Sequence, residues 1–267
     1  MRRPSPALSK LKASFRIAER EPLIIAGPCA VESESMFDEI VAMLVEHGIR
    51  LVRAGVFKPR TSPFTFQGLG LDGVDMVRAV GERHGVFLVS EVMEAEQIPL
   101  LSSVAAILQI GTRNMDNYAL LKRLGTQPNP VLLKRGFMAD SHEFFLAAEY
   151  LRREGNDAVI LCERGIRTFE SATRNTLDLN VVPIARIATD LPIIVDPSHG
   201  TGRSDIVIPM ARAAIAAGAD GLMVEVHPNP AKALSDGLQS LDFNRFAALL
   251  SDVREIFAVM QDRGEKT

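Results

Sequence analysis

The amino-acid sequence predicts a (β/α)₈ barrel formed by a single domain. Short aliphatic runs alternate with segments whose apolar residues recur at helical spacing, and glycines close several of these segments. Continuously apolar strands that alternate with helices indicate a parallel sheet covered on both faces. Eight such strands in a chain of 267 residues match a closed barrel, whereas a doubly wound open sheet, the alternative, usually has fewer strands. No change in composition marks a linker between domains.

The predicted strands are short, and each leads into a helix. In chain order the strands are 23–27, 50–55, 86–91, 105–111, 130–136, 158–165, one within 191–200, and 219–226. Helical periodicity is found at 35–47, 72–84, from about 95, at 115–124, 140–155, 204–217, and from about 242 toward 260.

Several helix ends have recognisable capping signals. Gly48 is placed to end its helix in a left-handed conformation. Asn114 is predicted to N-cap the helix 115–124, and Asp140 with Glu143 has the spacing of a capping box. Residues 1–21 are polar and mixed in charge, which predicts a tail, or alternatively an arm on a neighbouring subunit. The barrel is then expected to occupy residues 22–267.

Composition excludes several classes of protein. The formal net charge is −3, so no basic face large enough for nucleic acid is expected. No apolar run approaches the ~20 residues that a membrane span needs, and the N-terminus lacks the apolar core of a signal peptide. The cysteines, Cys29 and Cys162, are too few for a disulfide framework. A cytoplasmic location is therefore expected.

Polar side chains follow the predicted strands where each strand ends, which is where the active site of such a barrel lies. They are Cys29, Arg53, Lys58, Arg60, Glu91, Gln109, Arg113, Lys134, Arg164, Asp196, His199 and Glu225. A single KPR loop is more often a solvated basic loop, but the repetition at many strand ends favours a site. Several cations in one pocket suit a substrate with more than one phosphate or carboxylate, because guanidinium groups bind both.

Four residues could also form a metal site. Cys29, His199, Glu225 and Asp236 offer sulfur, nitrogen and oxygen donors of the kind that a divalent transition metal accepts. Each alone has a plain explanation, such as a buried thiol or a residue that caps a turn. Taken together they favour a metal, because a barrel brings its first strand beside its last two. By contrast, Gly68, Gly70 and Gly73 spell GxGxxG too far beyond their strand for a dinucleotide site.

The motifs AGPCAVES, RAGVFKPRTSPF, LQIGTRNM, LLKRG, CERG, DPSHGTG, VEVHP and SDGLQS are spread over about residues 22–261. Together they resemble those of the 3-deoxy-D-arabino-heptulosonate 7-phosphate (DAHP) synthases. More narrowly, they resemble the branch of the type I enzymes that also includes 3-deoxy-manno-octulosonate 8-phosphate synthase. Thr112 is a small departure, since related sequences often have alanine there.

The resemblance implies condensation of phosphoenolpyruvate with erythrose 4-phosphate and release of phosphate, at the entry to the shikimate pathway. It implies one divalent metal ion, such as Mn²⁺, Fe²⁺, Zn²⁺ or Co²⁺, on Cys29, His199, Glu225 and Asp236, and a homodimer or homotetramer. Its motifs assign the remaining substrate-binding roles as follows: Arg53 and Lys58 to the carboxylate of phosphoenolpyruvate, Arg113, Lys134 and Arg164 to its phosphate, Arg60 and Thr61 to the aldose phosphate, and Gly111 and Thr112 to substrate binding in general.

Catalysis is expected to depend on Cys29, His199, Glu91 and Lys134. Our hypothesis is that Glu91 and Lys134 position the water that enters the product, with Lys134 also binding phosphate. A bound metal would polarise the aldehyde oxygen.

Two other functions stay open at this point. One is octulosonate synthesis from arabinose 5-phosphate, against which the loop KPRTSP argues, because those enzymes have a KANRSS-like version. The other is a non-catalytic barrel that binds phosphorylated sugars, which would be expected to lose part of the metal or cation set.

Relatives often carry an ACT-like or chorismate-mutase domain, for which this chain has no room. We therefore expect no inhibition of the isolated protein by phenylalanine, tyrosine or prephenate, while control by a partner subunit stays possible.

Overall fold

The structure, a computed structural model, describes residues 5–58 and 62–264, with side chains to residue 262. Eight parallel strands form a closed barrel in chain order. They are β1 (Leu23–Gly27), β2 (Leu51–Arg53), β3 (Phe87–Val92), β4 (Ile107–Ile110), β5 (Val131–Lys134), β6 (Val159–Glu163), β7 (Ile193–Val195) and β8 (Gly221–Glu225). β8 closes the barrel on β1, with Leu23 opposite Gly221 and Gly27 opposite Glu225. The predicted fold is therefore confirmed, although several strands are shorter than the apolar runs that signalled them.

Helices surround the barrel. They are α1 (Pro6–Ser14), α2 (Glu34–Glu46), α3 (Leu71–His84), α4 (Ile98–Ser102), α5 (Tyr118–Gly125), α6 (Ser141–Arg153), α7 (Val181–Ala188), α8 (Pro197–Thr201), α9 (Ser204–Ala216) and α10 (Phe243–Gly264). Short 3₁₀ turns lie at Ala95–Gln97, Thr112–Asn114, Pro230–Lys232 and Gly237–Gln239. No described helix has both the length and the apolarity that crossing a bilayer requires.

The helix caps agree with the sequence in part. Asp140 and Glu143 form the predicted capping box, since the side chain of each accepts a hydrogen bond from the backbone N–H of the other. The prediction for α5 was wrong: Asn117, not Asn114, caps it by accepting from the backbone of Leu120. Asn114 instead lies in the preceding 3₁₀ turn, which shortens the helix from its N-terminal side.

The first residues differ from the expectation of a polar tail. Ser5 caps α1 by accepting from the backbone of Leu8, and Pro6 starts the helix with a preset φ. Leu11 and Phe15 then join the apolar cluster inside the barrel, where they are almost completely buried. Each such side chain contributes about 1.5–3 kcal/mol of burial free energy. Within the described residues this segment therefore packs on its own barrel, whose interior supplies an apolar surface that the segment itself does not reveal.

Candidate active site

A cavity of about 350 Å³ lies at the C-terminal end of the barrel strands. The predicted residues that line it are Cys29, Arg53, Lys58, Glu91, Gln109, Gly111, Thr112, Arg113, Lys134, Arg164, His199 and Asp236. Glu225 and Asp196 are fully buried beside it, where both contact His199. Arg60 and Thr61 lie outside the described residues. Parallel strands that end at one edge place their following residues together, which explains why residues so far apart in sequence share one cavity.

One side of the cavity, which we call the metal side, carries Cys29, His199, Glu225 and Asp236. One donor atom from each lies within 4.8 Å of the others. The sulfur of Cys29 donates to Asp236 Oδ2 at 2.8 Å, and His199 Nε2 lies 3.0 Å from Glu225 Oε1. A thiol, an imidazole and two carboxylates at this spacing fit a divalent transition metal.

The surrounding structure fixes the conformation of Asp236 and the ring orientation of His199. Asp236 has a φ of 54°, a left-handed conformation that is uncommon for residues other than glycine and is tolerated by aspartate. Asp196 caps α8 by accepting from the backbone N–H of His199 at 2.9 Å. Its Oδ2 also lies 2.6 Å from His199 Nδ1, which fixes the ring and leaves Nε2 toward Glu225. A carboxylate on the far nitrogen is the usual support of a metal-binding histidine.

The acidity of these groups follows from their burial and their neighbours. Burial, and then the charge of Glu225, raises the pKa of the Cys29 thiol to about 12. The thiol is therefore protonated near neutral pH, and binding a metal there would release its proton. Burial would also raise the pKa of Asp196, but the charges of His199 and Lys134 outweigh it and hold that pKa well below its usual value.

Two residues on the metal side were missed by the sequence analysis. Gln239 donates through Nε2 to Glu225 Oε2 at 2.5 Å. Arg174 donates through Nη1 to Asp236 Oδ1 at 3.1 Å and to Gln239 Oε1 at 3.0 Å. Arg53 adds a salt bridge of 2.7 Å to Glu225 Oε1. The carboxylates of both Glu225 and Asp236 are therefore oriented by side chains around them.

Glu91 and Lys134 lie at the ends of β3 and β5. Glu91 is 7% exposed, and its Oε2 accepts from Gln109 Nε2 at 3.1 Å. Gly111 makes room for this carboxylate, because a Cβ at that position would lie 2.0 Å from Glu91 Oε1. Lys134 Nζ donates to Asp196 Oδ2 at 2.6 Å, so Asp196 contacts both Lys134 and His199. The structure thus gives Gly111 a packing role that its sequence position did not reveal.

The opposite side of the cavity, which we call the cation side, carries Arg113, Lys134 and Arg164 at the ends of β4, β5 and β6. Arg164 is only 3% exposed, and within the described chain it makes no salt bridge. Its Nη atoms donate over 3.4 Å to Gly165 O and 3.5 Å to His199 O, and its Nε has no hydrogen-bond partner. Burial lowers its pKa, and the charge of Arg174 adds to this effect, although the carboxylates of Asp196 and Glu163 oppose it. A buried guanidinium with unused donors is suited to bind an anion.

Comparison with known proteins agrees with this geometry. A sequence model of the DAHP synthetase I family matches residues 10–261. The phospho-2-dehydro-3-deoxyheptonate aldolase of Thermotoga maritima is 53% identical over 233 residues, which are 87% of this chain and 69% of that protein. The 2-dehydro-3-deoxyphosphooctonate aldolase of Alkalilimnicola ehrlichii is 30% identical over 94% of this chain and 96% of its own length.

Solved structures show the same relationship. The crystal structure of the Thermotoga maritima DAHP synthase is 51% identical, with a TM-score of 0.87, and the match covers 90% of this chain and 70% of that one. A truncated form of the 3-deoxy-D-arabino-heptulosonate 7-phosphate synthase from Thermotoga maritima is 48% identical, with a TM-score of 0.84, and covers 90% of this chain and 88% of its own. In sequence and in fold, this chain belongs to the DAHP synthetase I family.

Proposed function

We propose that this chain is a transferase that condenses phosphoenolpyruvate with erythrose 4-phosphate and water to give DAHP and phosphate, the first step of the shikimate pathway. The observation that carries the proposal is one cavity that joins a four-donor metal group to a set of cations, among them the buried Arg164, which makes no salt bridge within the described residues. The name of the Thermotoga relative supports the same reaction.

The residues of the metal side would hold one divalent ion, and Mn²⁺, Fe²⁺, Zn²⁺ and Co²⁺ all accept such donors. When bound, the ion supplies Lewis-acid polarisation of an aldehyde oxygen. Asp196 holds His199 in the ring orientation that this site needs, and Gln239 and Arg174 do the same for the carboxylates of Glu225 and Asp236.

The cations of the cavity would hold the substrates. Arg113, Lys134 and Arg164 bind the phosphate of phosphoenolpyruvate, with Gly111 and Thr112 beside it. Arg53 and Lys58 bind its carboxylate; Arg53 already bonds Glu225 and the Cys29 carbonyl, and its five N–H donors leave others for the substrate. Arg60 and Thr61, which lie outside the described residues, are proposed to bind the aldose phosphate.

Glu91 and Lys134 are proposed to handle the water. Carbon 3 of phosphoenolpyruvate bonds to the aldehyde carbon, which leaves positive character on carbon 2. Water adds there while Glu91 accepts its proton, and this proton then passes to the oxygen of the former aldehyde. The bond from carbon 2 to the phosphate oxygen breaks as the new hydroxyl on carbon 2 becomes a ketone, and its proton leaves with the phosphate. The close approach of Glu91 to Gly111 holds that carboxylate in the cavity wall.

The octulosonate reaction is the second candidate, supported by relatives at 30% identity. The 53% identity to the heptulosonate enzyme favours the four-carbon aldose. A non-catalytic sugar-phosphate barrel has less support, because the described chain retains every metal donor and the three cations on β4, β5 and β6.

The deciding experiment measures phosphate release from phosphoenolpyruvate by chelator-treated protein. Erythrose 4-phosphate and arabinose 5-phosphate are compared, each with and without added Mn²⁺. We expect metal-dependent release with the four-carbon aldose alone. Preference for arabinose 5-phosphate would identify the octulosonate reaction, and no release with either aldose would favour a binding protein. Metal-independent release would support the proposed reaction but contradict its proposed requirement for a metal ion.

We also propose a homodimer or homotetramer in the cytoplasm, as the family resemblance suggests. Light scattering coupled to size-exclusion chromatography measures the mass directly, and a monomer would contradict the proposed assembly.

A further inference from the structure

Phe137 lies among the arginines of the cation side. It belongs to the loop after β5 and lines the cavity. The centre of its ring is 4.8 Å from Arg164 Cζ, 5.6 Å from Arg113 Cζ and 4.6 Å from Arg167 Cζ. A guanidinium within about 6 Å of a ring centre is attracted by the negative face of the π system.

The loop around Phe137 is fixed by hydrogen bonds on either side of the ring. The backbone N–H of Gly136 donates to Met115 Sδ at 3.0 Å, and the carbonyl of Phe137 accepts from the backbone N–H of Arg167 at 2.7 Å. Arg135 Nε donates to the carbonyl of Ala139 at 3.0 Å. The backbone that carries the ring is therefore held by contacts with the surrounding loops.

The other buried arginines of this region are held differently. Arg53 has Glu225 at 2.7 Å, and Arg135 has Glu163 at 3.0 Å and Asp178 at 2.8 Å. Arg164 makes no salt bridge in the described chain; Asp196 and Glu163 act on its charge without contacting it, and the ring of Phe137 lies directly against its guanidinium. A carboxylate would occupy the N–H donors and would repel an incoming phosphate, whereas an aromatic face accepts the cation and leaves its edge donors available.

We propose that Phe137 is a positioning residue for phosphate binding: its π face holds the guanidinium group of Arg164 in place of a carboxylate, and it also contacts that of Arg113. This inference rests on the proposed function only in naming phosphoenolpyruvate as the substrate; the same arrangement would hold any phosphate monoester or inorganic phosphate. Phe137 itself does no chemistry, so its effect should be on affinity for the phosphorylated substrate and not on the chemical step.

The test compares Phe137→Leu, which removes the ring and keeps an apolar side chain, with Phe137→Tyr, which keeps the π face. Calorimetry measures the Kd of phosphoenolpyruvate alone and of inorganic phosphate alone. We expect a roughly tenfold weaker Kd for both ligands in the leucine variant, and a Kd within about threefold of the wild type in the tyrosine variant. Phe169→Leu is the matched control, because Phe169 is fully exposed on the loop after β6.

A steady-state measurement separates positioning from general damage. We expect KM for phosphoenolpyruvate to rise in Phe137→Leu while KM for the aldose, bound metal content and the thermal unfolding midpoint stay unchanged. Equal Kd values in the leucine variant and the wild type would overturn the proposal. So would a tyrosine variant as weak as the leucine variant, because the ring would then act only by its volume. Both Kd values are measured without an aldose, so failure of the condensation assay would refute the proposed function separately.

Discussion

The metal side of the cavity, on β1, β7 and β8, contrasts with the cation side, on β4, β5 and β6. On the metal side the charged groups are paired: Arg53 contacts Glu225, and Arg174 contacts Asp236. On the cation side Arg164 is buried with long bonds to carbonyls and an aromatic neighbour. Asp196 joins the two sides, since one oxygen lies 2.6 Å from both Lys134 Nζ and His199 Nδ1.

The difference indicates how each side is prepared for its ligand. Carboxylates oriented by neighbouring side chains are ready to bind a cation without rearranging, which favours a metal. A buried guanidinium such as that of Arg164, which makes no salt bridge within the described residues, carries an electrostatic cost that an anion relieves. The chain as a whole has a net charge of −3, so the cationic character belongs to the cavity and not to the protein surface in general.

The largest effect is expected from a substitution that removes a metal donor and leaves the cation side intact. Cys29→Ala removes the only sulfur donor, so we expect loss of bound metal after dialysis and a fall in phosphate release of at least about a hundredfold. Elemental analysis and the release assay measure the two quantities. Cys162→Ala is the control, because Cys162 is buried in β6 outside the donor cluster and should keep its metal. A Cys29 variant with normal metal content and rate would make this thiol a packing residue.

The next largest effect is expected from Glu91, the proposed proton acceptor at the end of β3. Glu91→Gln keeps the shape and the contact with Gln109 but removes the base, so we expect turnover to fall about 10²–10⁴-fold. Calorimetry should find the Kd of phosphoenolpyruvate within about threefold of the wild type. Unchanged turnover would refute the role of Glu91.

A smaller effect is expected from the support of the metal side. Gln239→Leu removes the amide that donates to Glu225 Oε2, and we expect metal affinity to fall about 10–100-fold. Titration with a competing chelator measures this affinity. The Kd of inorganic phosphate, measured by calorimetry, should be unchanged, because Gln239 is absent from the cation side. A parallel loss of both affinities would show that the two sides are not separable in this way.

The smallest expected effect is that of added salt on phosphate binding at the cation side. Raising NaCl from about 0.05 to about 0.5 M should weaken phosphate binding only several-fold, because buried charges are screened less than exposed ones. The variant Arg167→Gln, which removes an exposed cation beside Phe137, should reduce this salt dependence. Calorimetry at both salt concentrations measures the change. A loss of much more than tenfold would indicate that exposed cations dominate phosphate binding.

The support of the site could not be predicted from the sequence, although its lining largely could. Every strand-end residue in the described chain lies in or beside the cavity, because the strand ends of a closed parallel barrel meet at one edge. Arg174 lies 62 residues before Asp236 in a loop without periodicity, and Gln239 is 14 residues beyond Glu225. No local pattern predicts such pairs. Phe137 was missed for a similar reason, since its aromatic side chain has a role only once the loops after β4 and β6 bring the arginines around it.

The sequence by itself determined the alternation of strands and helices, the barrel, and the residues presented at one end of it. Each of these follows from local periodicity, and the family motifs add the chemistry. Only the tertiary structure decided that α1 packs into the barrel, that Asp236 takes a left-handed conformation, and that Arg164 Nε finds no hydrogen-bond partner among the described residues. These three depend on which surfaces and charges meet across the fold. The free energy that selects them comes from burial and long-range pairing, and neither is encoded in the spacing of neighbouring residues.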